Sequence, residues 1–286
     1  MKHGLLIRNS YWPSASMDEM EALLVSAAAR MSIALHVCGN GDIPCVPGTA
    51  PKLPAPADFI LFWDKDVRLC QYLEMNGYPV YNSSRAIALC DDKTLTHLHL
   101  HDLPVPQTIL CPLTFPGRGY PDLGFLDQAA QLLSYPMVIK EGCGSFGQQV
   151  YLASNREETA EILTRFAGKS LLLQQYIQES HGQDKRLYMA GGQCVAAMRR
   201  INETDFRANI ASGGKALPYT PTKEEIALAV NACSQLGLTF AGVDILDSAN
   251  GPMLCEVNSN AHFTALYHLT KVDIAAHILD AVRGAQ

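Results

Sequence analysis

The chain has 286 residues, 48% of them hydrophobic and 17% charged, with a formal net charge of −6. That balance excludes a chain disordered throughout. No stretch approaches the roughly 18 consecutive apolar residues of a membrane-spanning helix, and an acidic chain lacks the basic footprint of a nucleic-acid binder. The apolar run after Met1 stops at Arg8, too short for a secretory signal. Nine cysteines, odd in number and without a C-x-x-C pair, argue against a disulfide framework or a zinc site and predict a reducing, cytoplasmic setting.

Strands alternate with helical patterns from the start, which predicts an α/β class with parallel pairing. Leu5-Leu6-Ile7 reads as a strand. Ser16-x-x-Glu19 reads as a capping box opening a helix with Met20, Leu23, Leu24, Ala27 and Met31 on one face. Ile33 to Val37 and Asp58 to Phe62 read as strands, separated by a Gly- and Pro-rich loop. This opening third reads as an open α/β layer. A helix is expected to start at Asp91-Asp92-Lys93 and to end before Pro104. Further strands are expected at Tyr135–Lys140, Val150–Leu152, Leu171–Ile177, Lys185–Ala190 and Gln193–Arg200. Ser154 and Thr222 are expected to cap helices, the second ending at Gly237. A hairpin, Phe240–Asp247 with Met253–Val257, and two short helices close the chain.

Gly142-Cys143-Gly144-Ser145-Phe146-Gly147 spells G-x-G-x-x-G. A dinucleotide-binding loop must open a helix, yet here a strand-like run follows. The loop therefore reads as a flap between two strands, whose backbone N–H groups can cover phosphates. An ordinary Gly-rich turn fits the loop alone equally well. Lys140 ends an apolar strand just before it and is placed for a phosphate. Lys93, Arg186, Arg199, Arg200 and Arg207 are further cations, each by itself readable as solvated surface charge.

The final hairpin is more informative. A three-residue loop at Ala249-Asn250-Gly251 makes paired residue numbers sum to about 500, so Asp244 faces Glu256. Asn258 lies two residues on, on the same face. Opposed carboxylates repel unless something positive lies between them, and two carboxylates with an amide oxygen suit Mg²⁺. A solvent-exposed polar face is the competing reading. His97, His99 and His101 resemble a metal tract, but flanking leucines favour packing. Cys143 reads as a small residue in the loop rather than an activated thiol. For His262, a substrate contact and plain packing are both open.

Taken in order, Lys93 after Asp91-Asp92, Lys140 before the glycine loop, Gln174-Gln175-Tyr176-Ile177, Asp184-Lys185-Arg186, Asp205-Phe206-Arg207-Ala208-Asn209, Gly213-Gly214-Lys215, Gly242-Val243-Asp244 and Glu256-Val257-Asn258 resemble the ATP-grasp enzymes, and among them the RimK-like glutamate ligases. The resemblance runs from about Asp91 to Ile278. It implies an ATP-grasp fold, α/β with α+β character in its C-terminal parts, divided into an N-terminal α/β domain (1–90), a central subdomain with the flap (91–177) and a C-terminal subdomain with a metal site (178–286). It implies ATP and two Mg²⁺ ions, with Mn²⁺ as a substitute. Lys93, Lys140, Gly144, Ser145 and Gly147 would contact phosphates. Gln175, Tyr176 and Ile177 would hold adenine, and Asp184 the ribose side. Arg207, Ala208 and Asn209 would line the triphosphate, with Arg207 catalytic. Asp244, Glu256 and Asn258 would bind the metal ions.

The implied reaction is carboxylate–amine ligation through an acyl phosphate, adding an amino acid such as glutamate to a peptide or small-molecule acceptor in a homo-oligomeric enzyme. Dipeptide synthesis in the manner of D-alanine ligases and a non-catalytic ATP-binding module are the alternatives. Three positions depart from the family pattern. Gln175 stands where many relatives have Glu, Ala211-Ser212 replace His-Arg, and Asn260-Ala261-His262 follow Asn258-Ser259. The last two bear on the acceptor.

Overall fold

The computed structural model describes all residues except 13, 145–146, 211–212 and 286. The opening third is a parallel sheet. It is built from β1 (Lys2–Arg8), α1 (Ala15–Arg30), β2 (Ile33–Gly39), β3 (Phe59–Trp63), α2 (Val67–Met75) and β4 (Val80–Tyr81), with strand order β2-β1-β3-β4. Every residue of β3 is buried, as its unbroken apolar run requires in a sheet covered on both faces.

Two helices, α3 (Ser84–Asp91) and α4 (Lys93–His99), lead into a second sheet. Its elements are β5 (Thr108–Leu110), α5 (Phe125–Leu133), β6 (Met137–Glu141), β7 (Val150–Ala153), α6 (Arg156–Arg165) and β8 (Leu171–Gln175). The third contains β9 (Gln183–Ala190), β10 (Gln193–Ile201), β11 (Lys215–Pro218), α7 (Lys223–Leu236), β12 (Phe240–Ser248) and β13 (Gly251–Asn258), followed by α8 (Thr264–Thr270) and α9 (Ile274–Gly284). These two sheets are antiparallel throughout, in orders β5-β8-β6-β7 and β11-β10-β9-β12-β13. The parallel pairing expected of the chain therefore holds only in its first sheet. No helix among the described residues is long and apolar enough to cross a membrane.

One core joins the first sheet to the third. Leu6, Phe59 and Trp63 pack with Tyr188, Phe240, Phe263 and Ile278. Trp63 stacks on Phe240 at 5.1 Å between centroids and meets Phe263 edge-on at 6.0 Å. Buried aromatic side chains of this kind contribute about 1.5–3 kcal/mol each. The second sheet has its own core of Leu126, Met137, Ile139, Leu163 and Leu173. Asn82 is 1% exposed and pins the start of α3 to the third sheet. Its amide donates to the carbonyls of Phe240 and Ser259 at 2.9 and 2.8 Å and accepts from Thr239 N–H at 2.8 Å.

Two expected caps fall on a neighbouring residue instead. Ser14, not Ser16, is the N-cap of α1. Ser16 instead turns its hydroxyl to Nδ1 of His262 (3.0 Å) and Oγ1 of Thr264 (3.2 Å). Asn155, not Ser154, caps α6. The helix expected to start at Asp91-Asp92-Lys93 is α4, capped by the Asp92 carboxylate accepting from Thr94 N–H and ending well before Pro104; the preceding α3 was not expected. Thr222 and Glu225 form the capping box as expected, and Gly237 ends α7 in the left-handed region.

Candidate active site

A cleft lies between the second and third sheets. Its walls combine Val138 and Lys140 of β6, Gln174 to Ile177 at the end of β8, Asp184 of β9, Arg200 of β10, Asp244 and Leu246 of β12, Cys255 and Glu256 of β13, Gly147 of the flap, and Arg207 to Asn209. Eleven sequence-predicted residues meet there: Lys140, Gly147, Gln175, Tyr176, Ile177, Asp184, Arg207, Ala208, Asn209, Asp244 and Glu256. Lys93 joins from α4, its ammonium 3.5 Å from Glu256 and donating to the Gly144 carbonyl at 3.1 Å. Asn258 sits opposite Gly242, two pairs beyond Asp244 and Glu256. Ser145 lies outside the described residues, as do Ala211 and Ser212.

Asp244 does pair with Glu256, by a route the sequence did not show. The turn holds two residues rather than three, because Ser248 pairs with Gly251. A bulge between Asp244 and Ile245 then shifts the register back by one. The extra residue is Cys255, and both it and Glu256 line the cleft. Cys255 Sγ is 3.9 Å from Lys140 Nζ, and burial pushes its thiol up to about 11 despite that ammonium. Nothing in the sequence marks such a bulge.

Beneath the cleft lies a buried ionic chain. Arg186 grips Asp244 with two bonds of 2.7 Å. Arg200 reaches the same carboxylate at 3.0 Å and holds Asp184 at 2.6 Å. Burial pushes the Asp244 carboxyl up, but the Arg186 and Arg200 guanidiniums outweigh it and hold the group below its usual range. The Asp184 carboxylate, expected at the ribose side, is thus engaged edge-on by Arg200. Glu256 is more open than Asp244, its side chain 25% exposed against 3%. These oxygen donors fit a hard divalent cation, provided Arg186 cedes an Asp244 oxygen. Among the described residues no group of three or more His, Cys, Asp or Glu side chains forms a metal cage. A cation here would therefore complete its shell with phosphate oxygens and water.

Arg207 ties the flap to the third sheet. Its guanidinium grips Asp205 at 2.9 and 2.7 Å and donates to the Gly147 carbonyl at 2.8 Å. Gly147 has φ +72°, and a Cβ there would lie 2.6 Å from Oδ1 of Asn209, so only glycine lets the flap approach so closely. At the flap's other end, Lys93 N–H donates to the Gly142 carbonyl at 2.9 Å. His97 is buried, 3.0 Å from Gln174. Burial first, then Lys140 and Lys93, lower its pKa to about 3, so it is a neutral core histidine. His99 and His101 each face a backbone carbonyl. Burial and then Asp91 and Asp92 raise the Cys143 thiol, which leaves it unactivated. Burial and then Arg186 lower His262.

A cleft walled by two antiparallel sheets, with cations and a glycine flap above paired carboxylates, defines an ATP-grasp ligase, an ATP-dependent enzyme that forms carbon–nitrogen bonds. Residues 96–282 match the RimK-like ATP-grasp domain, and the chain belongs to that family. It is 31% identical over 278 residues to "Probable alpha-L-glutamate ligase" of Saccharophagus degradans, an alignment covering 94% of this chain and 85% of that protein. It is 32% identical to "Uncharacterized protein MG012 homolog" of Mycoplasma pneumoniae, covering 99% and 100%. The crystal structure of a RimK domain ATP-grasp protein from Sphaerobacter thermophilus superposes with a TM-score of 0.74 at 23% identity, over 98% of this chain and 99% of that one.

Proposed function

We propose that this ligase activates a substrate carboxylate as an acyl phosphate and joins it to an amine, with an amino acid such as glutamate as one partner. The carrying observation is the convergence of Lys140, Arg207 and the flap residue Gly147 with Asp244 and Glu256 on one cleft. Phosphoryl transfer asks mainly for positioning and charge neutralisation. Val138, Ile177 and Leu246 would wall the adenine slot, with Gln175 and Tyr176 at its edge. Lys93 and Lys140 would hold phosphates, and Gly144 and Gly147 would cover them. Arg207 would support the moving phosphoryl group, with Ala208 and Asn209 beside it. Asp184, through Arg200, would set the position of Asp244. Asp244, Glu256 and Asn258 would hold Mg²⁺, which when bound neutralises phosphate charge. The glutamate reading is supported by the relative named for that activity. Residues 178–286 would form the metal-bearing subdomain, beside units 1–90 and 91–177.

The test is ADP release with ATP and Mg²⁺ against single amino acids, amino-acid pairs and short acidic peptides, with hydroxylamine added to trap acyl phosphate as hydroxamate. The expected result is ADP release that depends on a carboxylate, with matching hydroxamate. ATP hydrolysis indifferent to every carboxylate would remove the ligase reading.

A further inference from the structure

The wall of the proposed adenine slot holds a buried amide whose orientation its neighbours dictate. Along β8, Leu171 and Leu173 enter the core of the second sheet. Successive side chains of a strand alternate, so Leu172 and Gln174 face the cleft. There Gln174 pairs with Val138 and Leu172 with Lys140, and Gln174, Val138 and Lys140 all line the cleft. Gln174 is 2% exposed. Its Nε2 lies 2.8 Å from Thr108 Oγ1 and 3.0 Å from His97 Nε2. Thr108 donates its one hydroxyl proton to the Pro106 carbonyl at 2.8 Å, so towards Gln174 its oxygen can only accept. An amide turned over would set oxygen against oxygen with no proton between them.

His97 takes the second amide N–H. Burial, then Lys140 and Lys93, keep its imidazole neutral, and a neutral ring offers one nitrogen as an acceptor. The ring proton then sits on Nδ1, which is buried without a partner among the described residues. Both N–H groups of Gln174 are thus used, and among the described residues its Oε1 accepts no hydrogen bond. The polar side chains nearby are already engaged. Ser180 donates to and accepts from the Asp247 backbone at 2.9 and 2.8 Å. Gln183 donates to the Glu179 carbonyl and accepts from Arg199. The remaining walls are the apolar Val138, Ile177 and Leu246. A buried carbonyl oxygen left open in such a slot favours a ligand that brings an N–H to it.

From this arrangement we infer that Gln174 reads the 6-position of the nucleotide base, with Thr108 and His97 as its positioning residues, so that the enzyme takes 6-aminopurine nucleotides and turns away 6-oxopurine ones. The inference rests on the proposed placement of adenine in this slot. The amino group of adenine donates to Oε1. The oxo group of guanine or hypoxanthine sets a second acceptor against it, and neither oxygen finds a proton. Thr108 is the lock. Without its hydroxyl the amide can turn over, because His97 can change tautomer and donate to Oε1 instead. The slot would then present a donor or an acceptor as the base requires.

The experiment titrates ATP, GTP and ITP, each with Mg²⁺, into the full chain by calorimetry. It runs on the parent, Gln174→Met, Thr108→Val and Thr108→Ser. The parent should bind ATP at least about tenfold more tightly than GTP or ITP, the scale of one unmet buried acceptor. ITP lacks the 2-amino group of GTP, so its rejection places the discrimination at the 6-position. Gln174→Met should bring the ATP-to-ITP ratio to within about threefold of unity, chiefly by weakening ATP. Thr108→Val should lower the ratio at least about threefold, while Thr108→Ser keeps the hydroxyl and holds the parent ratio within about twofold. A merely structural Thr108 would lower the melting temperature of Thr108→Val and leave its ratio unmoved, which overturns the inference. So does parent binding of ITP as tight as that of ATP, or an unchanged ratio in Gln174→Met. Should Gln174→Met fail to fold, the two Thr108 variants decide. ATP hydrolysis that ignores every carboxylate, with the base selectivity intact, removes the ligase reading and leaves the inference standing. A parent that binds no nucleotide removes both.

Discussion

Arg200→Met is the most direct test of the buried ionic chain. Arg200 is 3% exposed and stands between two carboxylates, Asp184 and Asp244. Methionine keeps the unbranched stem, stops short of the guanidinium and removes both pairings. Asp244 keeps Arg186. Among the described residues Asp184, with its side chain 10% exposed, forms an ion pair with Arg200 alone. Removing one partner of a buried pair costs about 3–5 kcal/mol, because the other charge is left uncompensated. At about 2–4 °C per kcal/mol for large domains, melting should fall by roughly 6–20 °C. The assay is scanning fluorimetry at pH 7, with urea midpoints as a second measure. Adding Asp184→Leu to Arg200→Met should recover more than half of the loss, since the stranded carboxylate is gone. A single variant melting within about 2 °C of the parent, or a double variant less stable than the single, refutes the reasoning.

Arg207→Lys keeps the charge but cannot hold Asp205 and the Gly147 carbonyl together. One charge-assisted bond is worth about 1.5–3 kcal/mol, so kcat for carboxylate-dependent ADP release should fall roughly 10- to 100-fold with the KM for ATP little changed; steady-state kinetics decide it, and an unchanged kcat removes Arg207 from the reaction. Glu256→Gln should abolish carboxylate-dependent ADP formation while circular dichroism stays native, and activity within about threefold of the parent at saturating Mg²⁺ would remove Glu256 from the metal set. His97 is buried neutral with its pKa near 3, so the unfolded chain binds the extra proton between about pH 3 and 6.5 and stability rises with pH across that window. Urea midpoints should show His97→Gln losing about 2 kcal/mol less than the parent on acidification from pH 7 to 5.

Strand periodicity and helix caps made much of the architecture legible. β3 announces itself as five apolar residues, and Thr222 with Glu225 as a capping box. What escaped was competition between neighbours and pairing between distant segments. Ser14 and Ser16 are equally plausible caps by type; the loser is claimed by His262, some 246 positions away. The three-residue β5 and the four-residue β11 carry too few residues for a period to show, and each exists because a longer strand, β8 or β10, offers it an edge. The second and third sheets are antiparallel for the same reason: strand direction is set by which edges are free, and local pattern is silent on that.

The hairpin shows how a site can be located while its construction is misread. A two-residue turn alone would have set Asp244 opposite Cys255 and turned Glu256 to the other face, since a slip of one residue inverts every side chain. The bulge absorbs that slip. It also brings a thiol into the cleft beside Lys140, where a regular strand would have hidden it. Gly242 belongs to the same construction. A Cβ there would lie 2.5 Å from the Ala261 side chain, with Nε of Arg186 3.6 Å away, so the glycine lets the segment after Asn258 fold back over the strand that carries Asp244. That fold-back sets Asn260 against Asp64. The carboxylate pair and the guanidinium that holds it are therefore positioned by one bulge and one glycine.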